Sequence, residues 1–239
     1  MVEIFWRRWV INSLEKEVEG FRKNTFLFLF IIISLSGLVT AVDWRFNLGW
    51  KVFSTWVFFI YFCQILFIIL TRDYLLSKFL LCTTVMGFVE LFADHWLVST
   101  LQVLFYPKDE PHIWVSPSYM PLLWAATPIC VAYIGWAFIK KFGLFRILLA
   151  QSVVGLCLGI FWEGLAKGAG CWYYQGKDLI MIYDAPLFIV TGEALFVPSL
   201  TYIFLRLSNA KHPVSIPAGI IMGLGIWLFY YVSYMIFQG

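Results

Sequence analysis

The sequence predicts an all-α protein: a polytopic membrane helical bundle with seven transmembrane helices and a cytoplasmic N-terminus. Its 239 residues are 62% hydrophobic and 13% charged, with a mean hydropathy of +0.83. A soluble chain, by contrast, is about half apolar and about a quarter charged. Seven apolar runs come close to or exceed the roughly 20 residues that a helix needs to cross a bilayer. The basic residues are also divided unequally between the two sets of loops.

The chain is predicted to consist of a juxtamembrane segment, residues 1–24, and a seven-helix transmembrane domain, residues 25–239. In the first segment, Phe5, Trp6 and Trp9 recur at helical spacing among basic residues. This pattern is typical of an amphipathic helix that lies along a membrane surface. The predicted spans of the second segment are Thr25–Val42, Trp50–Thr71, Tyr74–Phe105, Ser118–Ile139, Leu144–Lys167, Ile182–Leu205 and Val214–Phe237.

The distribution of positive charge predicts the orientation. Twelve of the 17 lysines and arginines fall in the N-terminal tail and the loops on its side of the membrane, and five fall on the opposite side. Because cytoplasmic loops carry the excess of basic residues, we expect the N-terminus inside and the C-terminus outside. The expected location is a bacterial inner (plasma) membrane.

The net charge of +3 is too small to predict binding of nucleic acid. The expected partners are therefore the lipid bilayer and an apolar, isoprenoid-like small molecule. The oligomeric state is left open by the sequence.

Several carboxyl groups lie within the predicted spans or at their edges. They are Glu90, Asp94, Glu163, Asp184 and Glu193. An ionisable group at membrane depth is unfavourable by about 2.5–3.5 kcal/mol, so such groups face the bundle interior and commonly mark a functional site. The predicted orientation puts all five in the outer half of the bundle, where we expect them to converge. The alternative is that protonated carboxyls only hydrogen-bond neighbouring helices together.

Glu90 and Asp94 are the predicted general acid. They are four residues apart in one helix and therefore share a face. Two carboxyls so close in an apolar medium cannot both ionise easily, so one of them is expected to keep its proton. A carboxyl kept neutral by its surroundings is what proton delivery requires. Glu163 and Glu193 are the other predicted catalytic groups.

Aromatic residues follow both groups of acids, and some are predicted to line a binding cavity. The predicted substrate-binding residues are Tyr106, Trp124, Trp162, Trp172, Tyr173 and Asp184. Aromatic ring faces stabilise cations, and an acid beside them suits carbocation chemistry on an alkene. The alternative is an interfacial belt, since Trp and Tyr are enriched at the surfaces of any membrane protein.

Neither a metal nor a cofactor is predicted. The three histidines, His95, His112 and His212, form no HxxxH or HxxE set, and the five cysteines form no CxxC pair. The chain also lacks a glycine-rich phosphate loop.

Two segments repeat one pattern, and both resemble known enzymes. Glu90 and Glu163, 73 residues apart, are each followed by aromatics, a polar loop and a proline that opens the next helix, which predicts an internal duplication. The stretch WEGLAKGAGCWYY…IYDAPLFIVTGEALF resembles the membrane-embedded lycopene cyclases of the heterodimer type. The stretch GFVE…YP…SPSYMPLLW is similar to the carotenoid hydratase family. Together the resemblances cover roughly residues 86–200, and small seven-helix fungal meroterpenoid cyclases are similar in size and in their buried acids.

The resemblance implies a cofactor-independent membrane enzyme that protonates an isoprenoid or carotenoid double bond, giving cyclisation or hydration. In the cyclases two adjacent acids directly follow the proline, whereas here Leu-Phe-Ile follows Pro186. A proton-coupled carrier is an alternative, since prolines and glycines are predicted to break several spans. Those residues are Pro128, Pro198, Gly219, Gly223 and Gly225. A non-catalytic lipid-binding or assembly subunit is the third possibility.

Overall fold

A computed structural model describes residues 23–238. Its α-helices are α1 (Lys23–Phe46), α2 (Trp50–Thr71), α3 (Tyr74–His95), α4 (Met120–Ala126), α5 (Pro128–Phe142), α6 (Leu144–Gly168), α7 (Leu187–Ser208) and α8 (Ser215–Phe237). A π-helix, Trp96–Thr100, extends α3, and a 3₁₀ turn, His212–Val214, precedes α8. The two-residue strands are β1 (Leu104–Phe105), β2 (His112–Ile113), β3 (Ser116–Pro117), β4 (Tyr173–Tyr174), β5 (Met181–Ile182) and β6 (Ala185–Pro186).

Within the described range, seven helical segments are long and apolar enough to cross a membrane. The predicted fold class, an all-α bundle of seven spans, is therefore confirmed, and the protein is an integral, multi-pass membrane protein. Helices α4 and α5 together form one span. The predicted amphipathic helix of residues 1–24 lies almost entirely outside the described residues.

The third, fourth and sixth spans differ from their predicted form. The third span does not continue to Phe105, because the chain leaves the helix after Thr100 and forms β1. The sixth begins at Leu187, because residues 181–186 form a hairpin. The fourth is broken at Thr127, directly before Pro128, whose missing N–H and fixed φ favour the start of a new helix.

The helices that carry the predicted acids form the centre of the bundle. Helix α3 packs against α8 and α4, and α7 packs against α6, α8 and α5. Helices α1 and α2 lie at the edge and contact mainly α4, α5 and α6. Helices α3 to α8 all contribute residues to one buried core.

Two pairs of glycines four residues apart allow the central helices to approach closely: Gly155 and Gly159 on α6, and Gly219 and Gly223 on α8. A Cβ atom on Gly155 would lie 2.9 Å from the carbonyl carbon of Glu193, and one on Gly223 would lie 2.6 Å from the Cβ of Val89. Small residues at this spacing are common where membrane helices pack backbone to backbone. Gly219 and Gly223 therefore serve packing against α3. Helix α8 continues unbroken through Gly219, Gly223 and Gly225, which the carrier alternative had predicted to open it. Pro198 also lies inside an unbroken α7.

Substitution of Gly155 by alanine is expected to lower stability, because the new methyl group would press on the backbone of α7. Overpacking of this kind is unfavourable by about 1–3 kcal/mol. Gly164, on the same helix, has no atom within 4 Å of a built Cβ. There alanine should instead add up to about 1 kcal/mol of helix propensity. Thermal unfolding of both variants in detergent checks this; a Gly155→Ala protein as stable as Gly164→Ala would contradict the packing described.

The strands lie together at one end of the bundle, called here the hairpin end (residues 101–119 and 169–186). Strands β2 and β3 form one hairpin and β5 and β6 another, with His112 opposite Pro117 and Met181 opposite Pro186. Strands β1 and β4 pair with each other and join the two repeats. Both hairpin turns begin with a residue of positive φ, Trp114 at 60° and Tyr183 at 54°.

These equivalent registers support the predicted duplication but correct its offset. The two hairpins are related by 69 residues, not by 73. Asp94, rather than Glu90, is thus the counterpart of Glu163. The sequence pattern paired Glu163 with Glu90 because the order of residue types does not give the strand register.

Candidate functional site

A cavity of about 140 Å³ lies in the half of the bundle nearest the hairpin end. All seven spans, together with β1, β4 and the residue after β1, contribute to its wall. The wall is mainly aromatic and aliphatic, with Phe53, Trp56, Trp124, Trp162 and Phe196 among its residues. An engineered cavity of about 150 Å³ holds one benzene molecule. This cavity therefore has room for a ring-sized, apolar part of a molecule.

Four carboxyl groups line the cavity: Glu90, Asp94, Glu163 and Glu193. Their predicted convergence is confirmed. They come from three helices, α3, α6 and α7, and each lies in the part of its helix nearest the hairpin end. The structure thus brings four ionisable side chains to one predominantly apolar space.

Glu90 and Asp94 form a close pair on α3, and both are buried, at 1% and 3% exposed. The hydroxyl of Tyr106 donates a hydrogen bond of 2.7 Å to Oδ2 of Asp94. Among the described residues, Oε2 of Glu90 has no hydrogen-bond partner. Asp94 is therefore supported by a donor, whereas Oε2 of Glu90 is buried without one in the described part of the chain.

Glu163 accepts two hydrogen bonds, one from Trp172 directly before β4 and one from Tyr174 in β4. The Nε1 of Trp172 donates at 2.6 Å and the hydroxyl of Tyr174 at 3.4 Å. The ring of Trp172 also packs edge-on against Phe53, with centroids 5.6 Å apart. Glu163 is consequently held by donors that suit a carboxylate.

Glu193 accepts a 2.5 Å hydrogen bond from the hydroxyl of Tyr230 on α8. Its place on α7 depends on Gly159, because a Cβ there would lie only 3.3 Å from Cγ of Glu193. Three of the four carboxyls thus receive a hydrogen bond from a tyrosine or tryptophan.

The tyrosines that support the cavity outside the spans are neutral donors. Burial raises the pKa of the Tyr106 hydroxyl well above its usual 10, and the charges of Asp94 and Glu90 raise it further. Burial also raises the pKa of the Tyr174 hydroxyl, and the neighbouring carboxylates, of which Glu163 has the largest effect, raise it further. Both hydroxyls therefore keep their protons over the whole physiological range.

Most of the predicted binding residues lie at the cavity, but two do not. Tyr106, Trp124, Trp162 and Trp172 line it. Tyr173 is 42% exposed and stacks on Phe105 instead, because consecutive strand residues point to opposite faces and Tyr174 is the one that faces inward.

Asp184 does not join the other acids. It lies in the turn between β5 and β6, which the sequence had assigned to the mouth of the sixth helix. Its Oδ1 forms an exposed ion pair of 2.5 Å with Nζ of Lys167. The prediction that all five acids converge is wrong for this residue.

Sequence reasoning missed Tyr230 and Trp56. Tyr230 lies in an apolar helix with two other tyrosines, Tyr231 and Tyr234, and nothing in the local sequence distinguishes the one that faces Glu193. Trp56 donates to the Ser36 hydroxyl at 3.1 Å and closes the cavity from α2. Neither α2 nor α8 contains an acidic residue, so the sequence offered no signal that either helix contributes to the site.

A second polar cluster lies at the hairpin end. Asp43, Glu110, Tyr119 and Cys171 are all buried there, at 5% exposed or less. Burial raises the pKa of Glu110 from 4.5 to about 8; the Tyr119 hydroxyl opposes the rise and the charge of Asp109 adds to it. Burial also raises the pKa of the Cys171 thiol, with contributions from Asp43 and Glu110.

Glu110→Gln is expected to flatten the pH dependence of stability. Because the folded pKa of about 8 lies above the ordinary 4.5, the stability linked to this group is fully present below pH 4.5 and is lost as the pH rises through 8. The variant should match the wild type under acidic conditions and melt at a higher temperature under alkaline ones. Thermal unfolding in detergent at several pH values measures this, and parallel curves would contradict it.

Within residues 23–238, no group of three or more His, Cys, Asp or Glu has a geometry that could hold a metal ion.

The fold and the site together define a seven-span integral membrane protein with a carboxyl-lined internal cavity. A family described as a domain of unknown function, DUF6989, matches residues 91–237, so the chain belongs to that family. The match includes Asp94, Glu163 and Glu193. Comparison with curated proteins gave no match, and comparison with solved structures also gave none.

Proposed function

We propose that the protein is an integral membrane enzyme that protonates a double bond of an apolar, isoprenoid-like molecule without a cofactor. The observation that carries this proposal is the enclosure of four carboxyls by an aromatic wall, with Oε2 of Glu90 left unpartnered among the described residues. Proton delivery and cation stabilisation are the two requirements of alkene activation by acid. Carboxyl groups supply the first and aromatic rings the second.

Glu90 delivers the proton, with Asp94 as its partner. The proton bonds to one alkene carbon, the π electron pair forms the new C–H bond, and the other carbon becomes a cation. The carboxylate left on Glu90 shares the next proton with Asp94, which Tyr106 holds in place at 2.7 Å.

The cation is stabilised by the indole rings and by the remaining carboxylates. Trp124, Trp162 and Trp172 line the cavity. In a cyclisation, a second double bond donates its π pair to the cation and forms a C–C bond. Glu163 or Glu193 then removes a proton from an adjacent carbon, so the mass is unchanged. In a hydration, a water oxygen bonds to the cation and loses a proton to the same carboxylates, and the product gains one water.

The substrate class is inferred from the resemblance to carotenoid and meroterpenoid enzymes and from the size of the cavity. About 140 Å³ accommodates one end of a long polyene rather than its whole length. The remaining chain would extend into the bilayer. A cytoplasmic N-terminus and a bacterial inner membrane are part of this proposal, on the basis of the distribution of basic residues.

The test is chromatography with mass detection on lipid extracts of a carotenoid-producing host, with and without this chain. A product of unchanged mass and shifted retention supports cyclisation, and a gain of one water supports hydration. An unchanged profile, with the protein folded in the membrane, would exclude carotenoids as substrates and contradict this assignment.

A proton-coupled carrier of the same kind of molecule is the second candidate. It is favoured by the break between α4 and α5, since Thr127 and Pro128 lie at this break and both line the cavity. Discontinuous helices form the binding sites of many transporters. Flux in proteoliposomes that stops when the proton gradient collapses would support the carrier, whereas conversion in detergent supports the enzyme.

A further inference from the structure

Buried polar atoms continue from the cavity towards the hairpin end. In the part of the chain that the structure describes, both carboxyl oxygens of Glu110 and the hydroxyls of Ser116 and Tyr119 have no hydrogen bond of normal geometry. Their residues are 5%, 0% and 1% exposed. Nearly all buried polar groups in proteins bond to protein or to ordered water.

These residues connect Glu110 to the acid pair. The Glu110 carboxyl interacts with the Tyr119 hydroxyl, and Tyr119 in turn lies close enough to Asp94 for an electrostatic interaction with its carboxyl. Ser116, in β3, has its hydroxyl beside the Asp94 carboxyl. Glu110 is thus linked to Asp94 through Tyr119, and Ser116 lies beside the same Asp94 carboxyl.

We propose that these residues line a hydrated proton path, with Glu110 at its entrance at the hairpin end and Asp94 at its inner end. Water suits this path, because a buried water makes two to four hydrogen bonds to polar groups such as these. The inference rests on the proposed function for its purpose: after each protonation of substrate, the Glu90–Asp94 pair must recover a proton. Glu110 is a positioning residue here, since it does not line the cavity.

The surroundings of Glu110 suit a group that exchanges protons near neutral pH. Its pKa is raised to about 8, chiefly by burial. The groups that face it or lie near it are Asp109, Tyr119, Cys171 and, beyond Cys171, Asp43. His112 bonds through Nδ1 to the carbonyl oxygen of Glu110, not to its carboxyl. No basic side chain among the described residues forms an ion pair with it.

The test is infrared spectroscopy of the purified protein in detergent, without substrate, during transfer from H₂O to D₂O. The band of a protonated cavity carboxyl is identified by its loss in Glu90→Gln, and its rate of deuteration is measured. Glu110→Gln should slow that rate about tenfold or more, as expected when a positioned proton-transfer group is removed. Glu110→Asp should restore it, and Asp178→Asn, an exposed acid at the same end, should leave it unchanged.

Tyr119→Phe is the second variant, because it removes only a hydroxyl from a buried ring. A slowed rate in this variant also supports the path if Glu110→Gln does not fold. Wild-type rates in both variants, or the absence of a protonated cavity carboxyl in the wild type, would overturn the proposal. Since no substrate is used, this outcome is separate from the outcome of the lipid-extract experiment.

Discussion

Glu90→Gln is expected to reduce product formation by about 10²–10⁴-fold, the usual contribution of a positioned general acid. Glutamine keeps the shape of the side chain and removes the transferable proton. Because Oε2 of Glu90 has no partner among the described residues, the substitution should not break a hydrogen bond there. The protein should therefore fold and insert normally while conversion in detergent is lost.

The matched control for this variant is Asp178→Asn, which makes the same chemical change at an exposed position outside the cavity. Its rate should equal that of the wild type. Full activity in Glu90→Gln would show that another carboxyl donates the proton to the double bond. Full activity in Glu90→Gln and Glu163→Gln together would favour the scaffold alternative, in which the acids only join helices.

Glu163→Gln is expected to lower the rate by about 10²–10³-fold, the effect of removing a preorganised electrostatic partner of a charged transition state. Glu163 is held by Trp172 at 2.6 Å and by Tyr174, so its carboxyl group is fixed beside the indole ring. Trp172→Phe keeps a ring at the cavity wall but removes the donor, and should have a smaller effect in the same direction.

The reaction rate and the melting temperature of both variants are measured in detergent. A lower rate at an unchanged melting temperature indicates an effect on the chemistry and not on folding. Tyr173→Phe is the control, since Tyr173 lies on the opposite face of β4 and is 42% exposed. A loss in Tyr173→Phe equal to that in Trp172→Phe would indicate disruption of the strand rather than of the site.

The membrane fold and the acid cluster could be predicted because both follow from local chemistry. Apolar runs of the right length define spans, and a carboxyl such as Glu90 within a span must face the interior. The error at Asp184 arose from structure that hydropathy does not encode. The strands β5 and β6, of two residues each, form a hairpin whose turn contains Asp184. Asp184 therefore lies outside the helix and forms an ion pair with Lys167.

The duplication explains the asymmetry of the cavity. With the 69-residue offset set by the hairpins, Asp94 corresponds to Glu163, Glu90 to Gly159, and Glu193 to Trp124. All of these line the cavity. Each repeat therefore supplies one acid at the equivalent position, Asp94 or Glu163, whereas Glu90 has a glycine and Glu193 a tryptophan as its counterpart in the other repeat. This relationship depends on strand register and could not be obtained from residue types alone.

The most direct test of acid catalysis is conversion of the substrate by detergent-purified protein in D₂O. If an exchangeable carboxyl protonates the double bond, the product carries a single carbon-bound deuterium, detected by mass, and no product forms with Glu90→Gln. A product without deuterium would contradict the central claim, because its new C–H bond could not have come from a carboxyl in exchange with solvent.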